Sequence, residues 1–316
     1  MRALVHTRYG GPDALRLEDV PVPTPGSGEV LVRVAAASVA ASDWEVLTGS
    51  PLYARLGGLR RPRRRRLGSD LAGTVERNGP AAARFRPGDR VTAYVARLGC
   101  FAEYVVVPER NLAPIPDQMP DDIASTLPQS GPIALQGIRT KGGLTAGQHV
   151  CVNGAGGGTG VLAVQLAKAA GAEVTAVDNG HKQEFMRGTG ADHVVDYERD
   201  DVTSPGGRFD LVLDLAAHRS AFDWRQVLAP DGRYLLVGGD MGPLLQSALL
   251  GPALRQRRLR VLAVRFRAED IAPVLDLWSD GTLAPVVDAR FALDEVVDAL
   301  RYVGAGRSCG KVVVQP

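Results

Sequence analysis

Residues His149 to Lys182 read HVCVNGAGGGTGVLAVQLAKAAGAEVTAVDNGHK, a string that few folds can accommodate. His149–Asn153 is an apolar run of strand length, and Gly154, Gly156, Gly157, Gly158 and Gly160 follow it. Lacking a Cβ, these residues let the backbone turn tightly and come close to a ligand. Val161, Leu162, Val164, Gln165, Leu166 and Ala169 then recur with helical spacing, and Val174–Val177 forms a second strand. Such a turn aims main-chain N–H groups and the positive end of a helix at a pyrophosphate. Asp178 closes the second strand, where a carboxylate can accept the hydroxyls of an adenosine ribose. A dinucleotide site is implied, with Gly157, Gly158, Thr159 and Gly160 at the pyrophosphate. Lys182 is expected on the following turn, near the same ribose. The fingerprint is imperfect, because in the frame that ends on Gly160 an alanine, Ala155, replaces the first glycine. A ligand-free strand-to-helix turn is the alternative, and the acid about 20 residues downstream argues against it.

A chain of 316 residues exceeds the size at which a single core stops growing, so two domains are expected. An apolar share of 45% supports buried cores, and 37 glycines suit an α/β protein with many turns. No run reaches the 18 or so apolar residues of a membrane span, and no membrane partner is expected. MRALVHTRYGG has no apolar leader core. Cys100, Cys151 and Cys309 are too few and too scattered for a disulfide framework or a CxxC metal site, so a reducing cytoplasm is expected. The net charge of +2 conceals six arginines between Arg60 and Arg66, interrupted only by Pro62, without which the chain would carry −4. That run reads as a solvated loop or as a contact for an anionic part of substrate or cofactor. Nucleic acid is not expected, since no aromatic residues are interleaved and no second basic patch supports it.

The first 118 or so residues alternate as short strands (3–6, 29–36, 73–76, 90–94 and 101–107) with Pro-Gly turns at 25–26 and 87–88. From about Asp121 the period changes. A helix expected over 123–139 leads into strands at 149–154, 173–178, 193–196, 209–214, 233–238 and 259–264, separated by helical stretches. This pattern predicts a doubly wound parallel sheet. Val237, Gly238 and Gly239 end a strand at the carboxyl edge, where cofactors sit. The tail after about Leu283, with VVDARFAL, a helix near 294–303 and a strand over 311–314, returns to the first domain. The expected division is 1–120 with 284–316, and 121–283.

The chain resembles the medium-chain dehydrogenase/reductase superfamily, in particular its zinc-independent quinone-oxidoreductase branch. GSDLAGTV (68–75), FRPGDRV (85–91), FAEYVVVP (101–108), the glycine loop, GADHVVDY (190–197), GRYLLVGG (232–239) and GKVVV (310–314) carry the resemblance. It implies an α/β architecture: a GroES-like, β-rich catalytic domain interrupted by a Rossmann doubly wound parallel-sheet domain, with the active site in the cleft between them. It also implies that Tyr197 flanks the adenine. Zinc-dependent relatives carry ligands where Ala40, Ser69 and Ser130 stand here, and zinc needs thiolate or imidazole at fixed spacing. No metal is expected.

Without a Lewis acid, hydride must go to an acceptor that is already electron-poor, such as a quinone or an α,β-unsaturated carbonyl. The resemblance places Asn-Pro at Ala40-Ala41 and a threonine at Ile133, so two customary polar groups are missing. The remaining donors are Tyr53, Ser42, Trp44 and Ser130. Tyr53 reads as a proton donor or a packing tyrosine, Trp44 as a stacking platform or core filler, and Asp43 as a loop-orienting residue. NAD(H) is favoured over NADP(H), because Asp178 would meet a 2′-phosphate with like charge, although Lys182 could offset part of that repulsion. The apolar LRVLAVRF strand could pair with its copy in a homodimer. Alternatives are a tailoring enoyl reductase of natural-product biosynthesis, and a catalytically weak dinucleotide-binding sensor or nucleic-acid-binding protein.

Overall fold

The structure, a computed structural model, describes residues 1–204, 208–250 and 258–316. The chain forms two compact units. The first comprises Met1–Gln129, Arg265–Ser279 and Pro285–Pro316, and the second Ser130–Val264 and Asp280–Ala284.

The chain enters the first unit through β1 (Arg2–His6), β2 (Leu15–Asp19), β3 (Glu29–Val39), β4 (Asp70–Asn78), β5 (Arg90–Tyr94), β6 (Tyr104–Pro108) and β7 (Ala113–Pro114). Turn chemistry sets these hairpins. In FRPGDRV, Gly88 takes φ +97 after Pro87, and the Asp89 N–H closes on the Arg86 carbonyl at 3.0 Å. That is the pairing of fixed φ with left-handed glycine that a type II turn requires.

The second unit is built on β8 (His149–Asn153), β9 (Glu173–Asp178), β10 (His193–Asp196), β11 (Phe209–Asp214), β12 (Leu228–Leu236) and β13 (Leu259–Val261). They lie in the order β10-β9-β8-β11-β12-β13, and every neighbouring pair is parallel. Parallel strands need crossovers, and helices on both faces explain why Val150, Cys151 and Val152 are fully buried. The helix Gly158–Ala169 supplies one such cover, burying Val161, Leu162, Ala163, Val164 and Leu166. The strand order reverses between β8 and β11, so the carboxyl ends of those strands flank the crevice where such sheets bind ligands.

The chain then completes the first unit with β14 (Val287–Ala292) and β15 (Lys311–Gln315), parallel to each other and linked through the helix Val296–Gly304. β15 pairs antiparallel with β3, setting Val313 opposite Ser38. The resulting sheet runs β14-β15-β3-β4-β5-β7, with β6 also on β3, while β1 and β2 form a separate ribbon. Leu4, Val32, Leu71, Phe101, Leu300 and Val314 share one core cluster.

The α/β class and the parallel sheet agree with the sequence reading, but several boundaries do not. The helix expected over 123–139 is broken into Asp121–Ser125, Leu127–Leu135 and a wide π turn at Gln136–Thr140. Pro128 and Pro132 lack the N–H groups that a continuous helix would use. Residues 121–129 and 265–279, expected in the dinucleotide unit, pack in the first one: Asp121–Ser125 lies on β3 and β4, and Ala268–Ser279 on β7. The strand expected over 259–264 stops at Val261, because its partner β12 ends at Leu236. β2, a short strand beside a proline-rich stretch, escaped the sequence reading.

Trp44, on the helix Ala41–Thr48, fits against the Val296–Gly304 helix only because residue 304 is glycine. A Cβ there would stand 2.4 Å from the indole Cδ2. Gly304→Ala is expected to destabilise the protein by about 1–3 kcal/mol, the range for overpacking a filled site. Thermal melts would check this, and an unchanged melting temperature would show that the indole can move aside.

Candidate functional site

The glycine loop begins where β8 ends. The Gly154 and Ala155 N–H groups bond the Val177 carbonyl on β9 at 2.9 and 3.1 Å, which folds the loop over the sheet edge. A Cβ on Gly160 would lie 2.3 Å from the Gly154 carbonyl oxygen, so that position sets how closely the helix Gly158–Ala169 approaches the strand. No side chain caps that helix, whose N-terminus carries Gly157, Gly158, Thr159 and Gly160. Bare N–H groups at the positive end of a twelve-residue helix suit a pyrophosphate.

Asp178 stands at the end of β9 beside this loop. Its Oδ2 accepts the Gly156 N–H at 2.9 Å and its Oδ1 the Asn179 N–H at 2.8 Å. Oδ1 also lies 3.1 Å from Lys182 Nζ, and both side chains are buried. Lys182 reaches across the loop so closely that a Cβ on Gly156 would fall 2.5 Å from its Cδ. The carboxylate is therefore not the bare acceptor that the sequence suggested. Three donors already share it, leaving room for about one more bond among its roughly four acceptor positions. Tyr197 follows β10 directly, and its N–H reaches the Asp178 carbonyl at 3.4 Å. Partial burial and then the Asp178 charge raise its phenol above the usual range.

At the switch point, Asn153 and Asp214 end β8 and β11 and are joined by Asn153 Nδ2 to Asp214 Oδ1 at 2.7 Å. The Tyr234 hydroxyl donates to Asp214 Oδ2 at 2.7 Å. Burial raises both the Asp214 carboxyl and the Tyr234 phenol. Val237 and Gly238 continue beyond β12 on this edge, where the Val237 N–H bonds the Asp214 carbonyl at 2.8 Å. Gly239 has φ +129, and a Cβ would meet the Ala217 backbone at 2.4 Å. Thus Gly157–Gly160, Asp178, Lys182 and Tyr197 gather at one strand end, and Val237–Gly239 lie two strands along the same edge. Asn153 and Asp214 were missed, since nothing marks a strand-end Asn or Asp without knowing which strands pair.

In the first unit, Ser42 and Trp44 share the helix Ala41–Thr48, and Tyr53 lies half-buried in the following 3-10 turn, Leu52–Gly57. Ser42 Oγ accepts from Gln129 Nε2 at 3.2 Å, and Trp44 packs on the core. Asp43 orients this segment. Its Oδ2 accepts the Ala40 N–H at 2.9 Å at the helix start and its Oδ1 the Gly68 N–H at 3.1 Å. Gly49 at φ +66 ends the helix in the left-handed cap that favours glycine.

Beneath the helix lies a buried cluster that sequence reasoning did not find. Lys311 Nζ donates to Ser38 Oγ at 3.0 Å and lies 3.3 Å from Asp70 Oδ2, which also accepts from Ser38 Oγ at 3.0 Å. Burial pushes the Asp70 carboxyl up to about 6, against the pull of the Lys311 charge and the Ser38 bond. Burial pushes Asp43 up to about 7, a rise to which the neighbouring Asp70 charge adds and which the Ala40 N–H opposes. The Cys100 thiol is raised well above its usual value by burial and by the same two carboxyls, so it is no nucleophile.

Both aspartates bind protons more tightly in the folded chain than in the unfolded one. The stability they contribute is complete below about pH 4 and is lost as pH rises through about 6 and 7. Lys311→Met would leave Asp70 as an unpaired buried charge near neutral pH, a loss of about 3–5 kcal/mol. The loss should shrink toward pH 5, where the carboxyl is neutral. Denaturant titrations of both proteins across this range would test it, and a pH-independent difference would rule out the coupling.

The zinc positions implied by the sequence resemblance hold Ala40, Ser69 and Ser130, which offer neither thiolate nor imidazole. Among the described residues, no three His, Cys, Asp or Glu side chains stand together as a metal site. Ala40, Ser69 and Ser130 could not supply zinc with its usual ligands.

Residues 26–117 match the alcohol dehydrogenase GroES-like domain family, and residues 189–314 the zinc-binding dehydrogenase family. A chloroplastic quinone oxidoreductase of Triphysaria versicolor is 31% identical over 100% of this chain and 98% of its own. The NADPH-dependent alkenal/one oxidoreductase of Arabidopsis thaliana chloroplasts is 29% identical over 100% of this chain and 80% of its own. The solved structure of the quinone oxidoreductase of Coxiella burnetii superposes with a TM-score of 0.90 at 26% identity, covering 100% of this chain and 99% of that one. With the doubly wound sheet, the glycine loop and these relatives together, the chain belongs to the quinone-oxidoreductase branch of the medium-chain dehydrogenase/reductase superfamily.

Proposed function

We propose that this protein transfers a hydride from a reduced nicotinamide dinucleotide to a quinone or an α,β-unsaturated carbonyl, without a metal. The observation that carries the reading is the uncapped glycine-loop helix beside the buried Asp178–Lys182 pair, in a chain whose relatives include a quinone and an alkenal/one oxidoreductase. The bound cofactor supplies the hydride. Gly157, Gly158, Thr159 and Gly160 hold its pyrophosphate through main-chain N–H groups, and Tyr197 flanks its adenine. An acceptor reduced by hydride gains one negative charge on oxygen, which hydrogen-bond donors stabilise until a proton arrives. Tyr53 is the proposed donor, with Ser42 as its substitute. Trp44 serves through packing. A twofold dimer, pairing copies of β13, is supported by its place at the end of the parallel sheet. Buried free thiols at Cys100 and Cys151 accord with a reducing, cytoplasmic setting.

NADH is the favoured cofactor. A 2′-phosphate at the tip of β9 would need Lys182 for itself, and taking it would leave Asp178 charged and buried without its cation. The ribose hydroxyl asks for less, since one free acceptor position on Asp178 is enough. The test is oxidation of NADH and NADPH with a panel of naphthoquinones, alkenals and cyclic enones, in protein with its metal content measured. Turnover of one acceptor class, unaffected by chelators, is expected. A protein that binds the cofactor but reduces none of them would sink the reading. Asp178→Ala should lower the ratio of kcat/KM for NADH over NADPH by about tenfold or more, the scale of one lost charge-assisted contact. A parent that clearly prefers NADPH, unchanged by the substitution, would show that the carboxylate does not face the ribose.

Tyr53→Phe should reduce turnover by about 10²–10³, the usual cost of losing one such donor. Turnover within about twofold of the parent would move the role to Ser42 or to solvent.

A further inference from the structure

The 3-10 turn Leu52–Gly57 and the arginine run behind it form an exposed surface that is both apolar and basic. Leu52, Leu56 and Leu59 are 67%, 87% and 76% exposed, three large apolar side chains within eight residues. Arg60, Arg61, Arg63, Arg64 and Arg65 follow, all exposed. Among the described residues, none of these arginines pairs with a carboxylate.

The backbone beneath them is fixed. The Arg63 N–H bonds the Gly57 carbonyl at 3.1 Å, the Tyr9 hydroxyl bonds the Gly58 carbonyl at 2.5 Å, and His6 binds the Arg65 carbonyl through its N–H at 2.8 Å and the Arg64 carbonyl through Nε2 at 2.9 Å. Arg55 is held apart from the run, with Nε on the Gly49 carbonyl at 2.8 Å and its guanidinium over the Tyr9 ring. Arg64 Nη1 donates to the Ala96 carbonyl, so the main chain presents to solvent the leucines and the guanidinium groups of Arg60, Arg61, Arg63 and Arg65.

We propose that Leu52–Arg65 docks the protein on an anionic phospholipid surface, with the leucines entering the interface and the arginines at the level of the headgroups. Charge alone would suit any polyanion. The leucines discriminate: exposed apolar side chains flanked by cations match a membrane interface, whereas a nucleic acid backbone or a free phosphate offers them nothing. The buried side chain beneath the run, His6, turns its Nε2 to the Arg64 carbonyl and braces the main chain there. The charge distribution also gives the contact a direction. Outside the six arginines the chain is net −4, so an anionic surface repels the rest and attracts this face. Among the described residues no helix is long and apolar enough to cross a membrane, and the proposed contact is peripheral, a departure from the expectation of no membrane partner.

The test is flotation of the full-length protein with vesicles of phosphatidylcholine alone and with vesicles containing about one-third phosphatidylserine. Binding to the anionic vesicles only is expected, falling as salt rises from about 0.1 to about 0.5 M. The combined variant Arg60→Gln, Arg61→Gln, Arg63→Gln, Arg65→Gln should lose about tenfold or more in partitioning. Leu52→Ser, Leu56→Ser, Leu59→Ser should lose about tenfold even with every arginine in place. If either multiple variant melts early, Leu56→Trp gives a second readout, a blue-shifted emission on anionic vesicles. Failure of the parent to bind anionic vesicles would overturn the proposal. So would binding that the leucine variant retains in full, or an unshifted Leu56→Trp emission, since either would mark a purely ionic contact.

Discussion

A buried lysine holds the first unit together. Lys311 begins the last strand, and its ammonium meets Ser38 and Asp70 inside the sheet, 241 residues from the aspartate in sequence. A cation there is tolerated only because it is paired and hydrogen-bonded, and removing one partner would strand a charge in the interior. The unit is discontinuous, with a whole parallel-sheet unit inserted before its last strands return. Val312, Val313 and Val314 would pack comparably one register away, but the ammonium would not. In the observed register the ammonium reaches Ser38 on β3 and Asp70 on β4, contacts that a one-residue slip would lose. Through Asp43, which shares the same low-dielectric pocket, the ion pair also bears on the helix that presents Ser42 and Trp44.

The sequence was most legible where one residue type leaves a single conformation open. Gly154 to Gly160 and Asp178 announced a strand, turn, helix and strand, and Pro87-Gly88 announced its hairpin. Where the outcome depended on a distant partner, local pattern failed. The helix expected over 123–139 failed for a local reason, since apolar spacing looked continuous while the chain breaks after Ser125, ahead of Pro128. The strand expected over 259–264 kept its apolar alternation past the end of β12 and stopped for want of a partner. Asp70 and Lys311 were visible only as letters within familiar strings, because a salt bridge between opposite ends of a chain leaves no periodic trace.

The same limit applies to the cofactor edge. Asp178 was read as a carboxylate waiting for a ribose, since sequence shows a residue's position and not who already occupies it. The folded chain gives that carboxylate to Gly156, Asn179 and Lys182. Lys182, read from sequence as a possible phosphate ligand, is committed to Asp178, and on the proposed reading a 2′-phosphate could recruit it only by breaking that pair.

Tyr53 lies between Leu52 and Leu56, on the turn proposed to meet the membrane. A quinone with an apolar tail partitions into bilayers, and a soluble enzyme meets it slowly unless the enzyme comes to the interface. Placing the proposed donor and two of the three docking leucines on one six-residue turn, Leu52–Gly57, would shorten that route without a separate channel. The arrangement also restricts what the turn can become. Polar residues in place of the leucines would improve solubility, and apolar residues in place of the arginines would remove the charge that selects an anionic surface. The short apolar turn and the basic run act together only while the Tyr9, His6 and Gly57 bonds keep the main chain fixed beneath them.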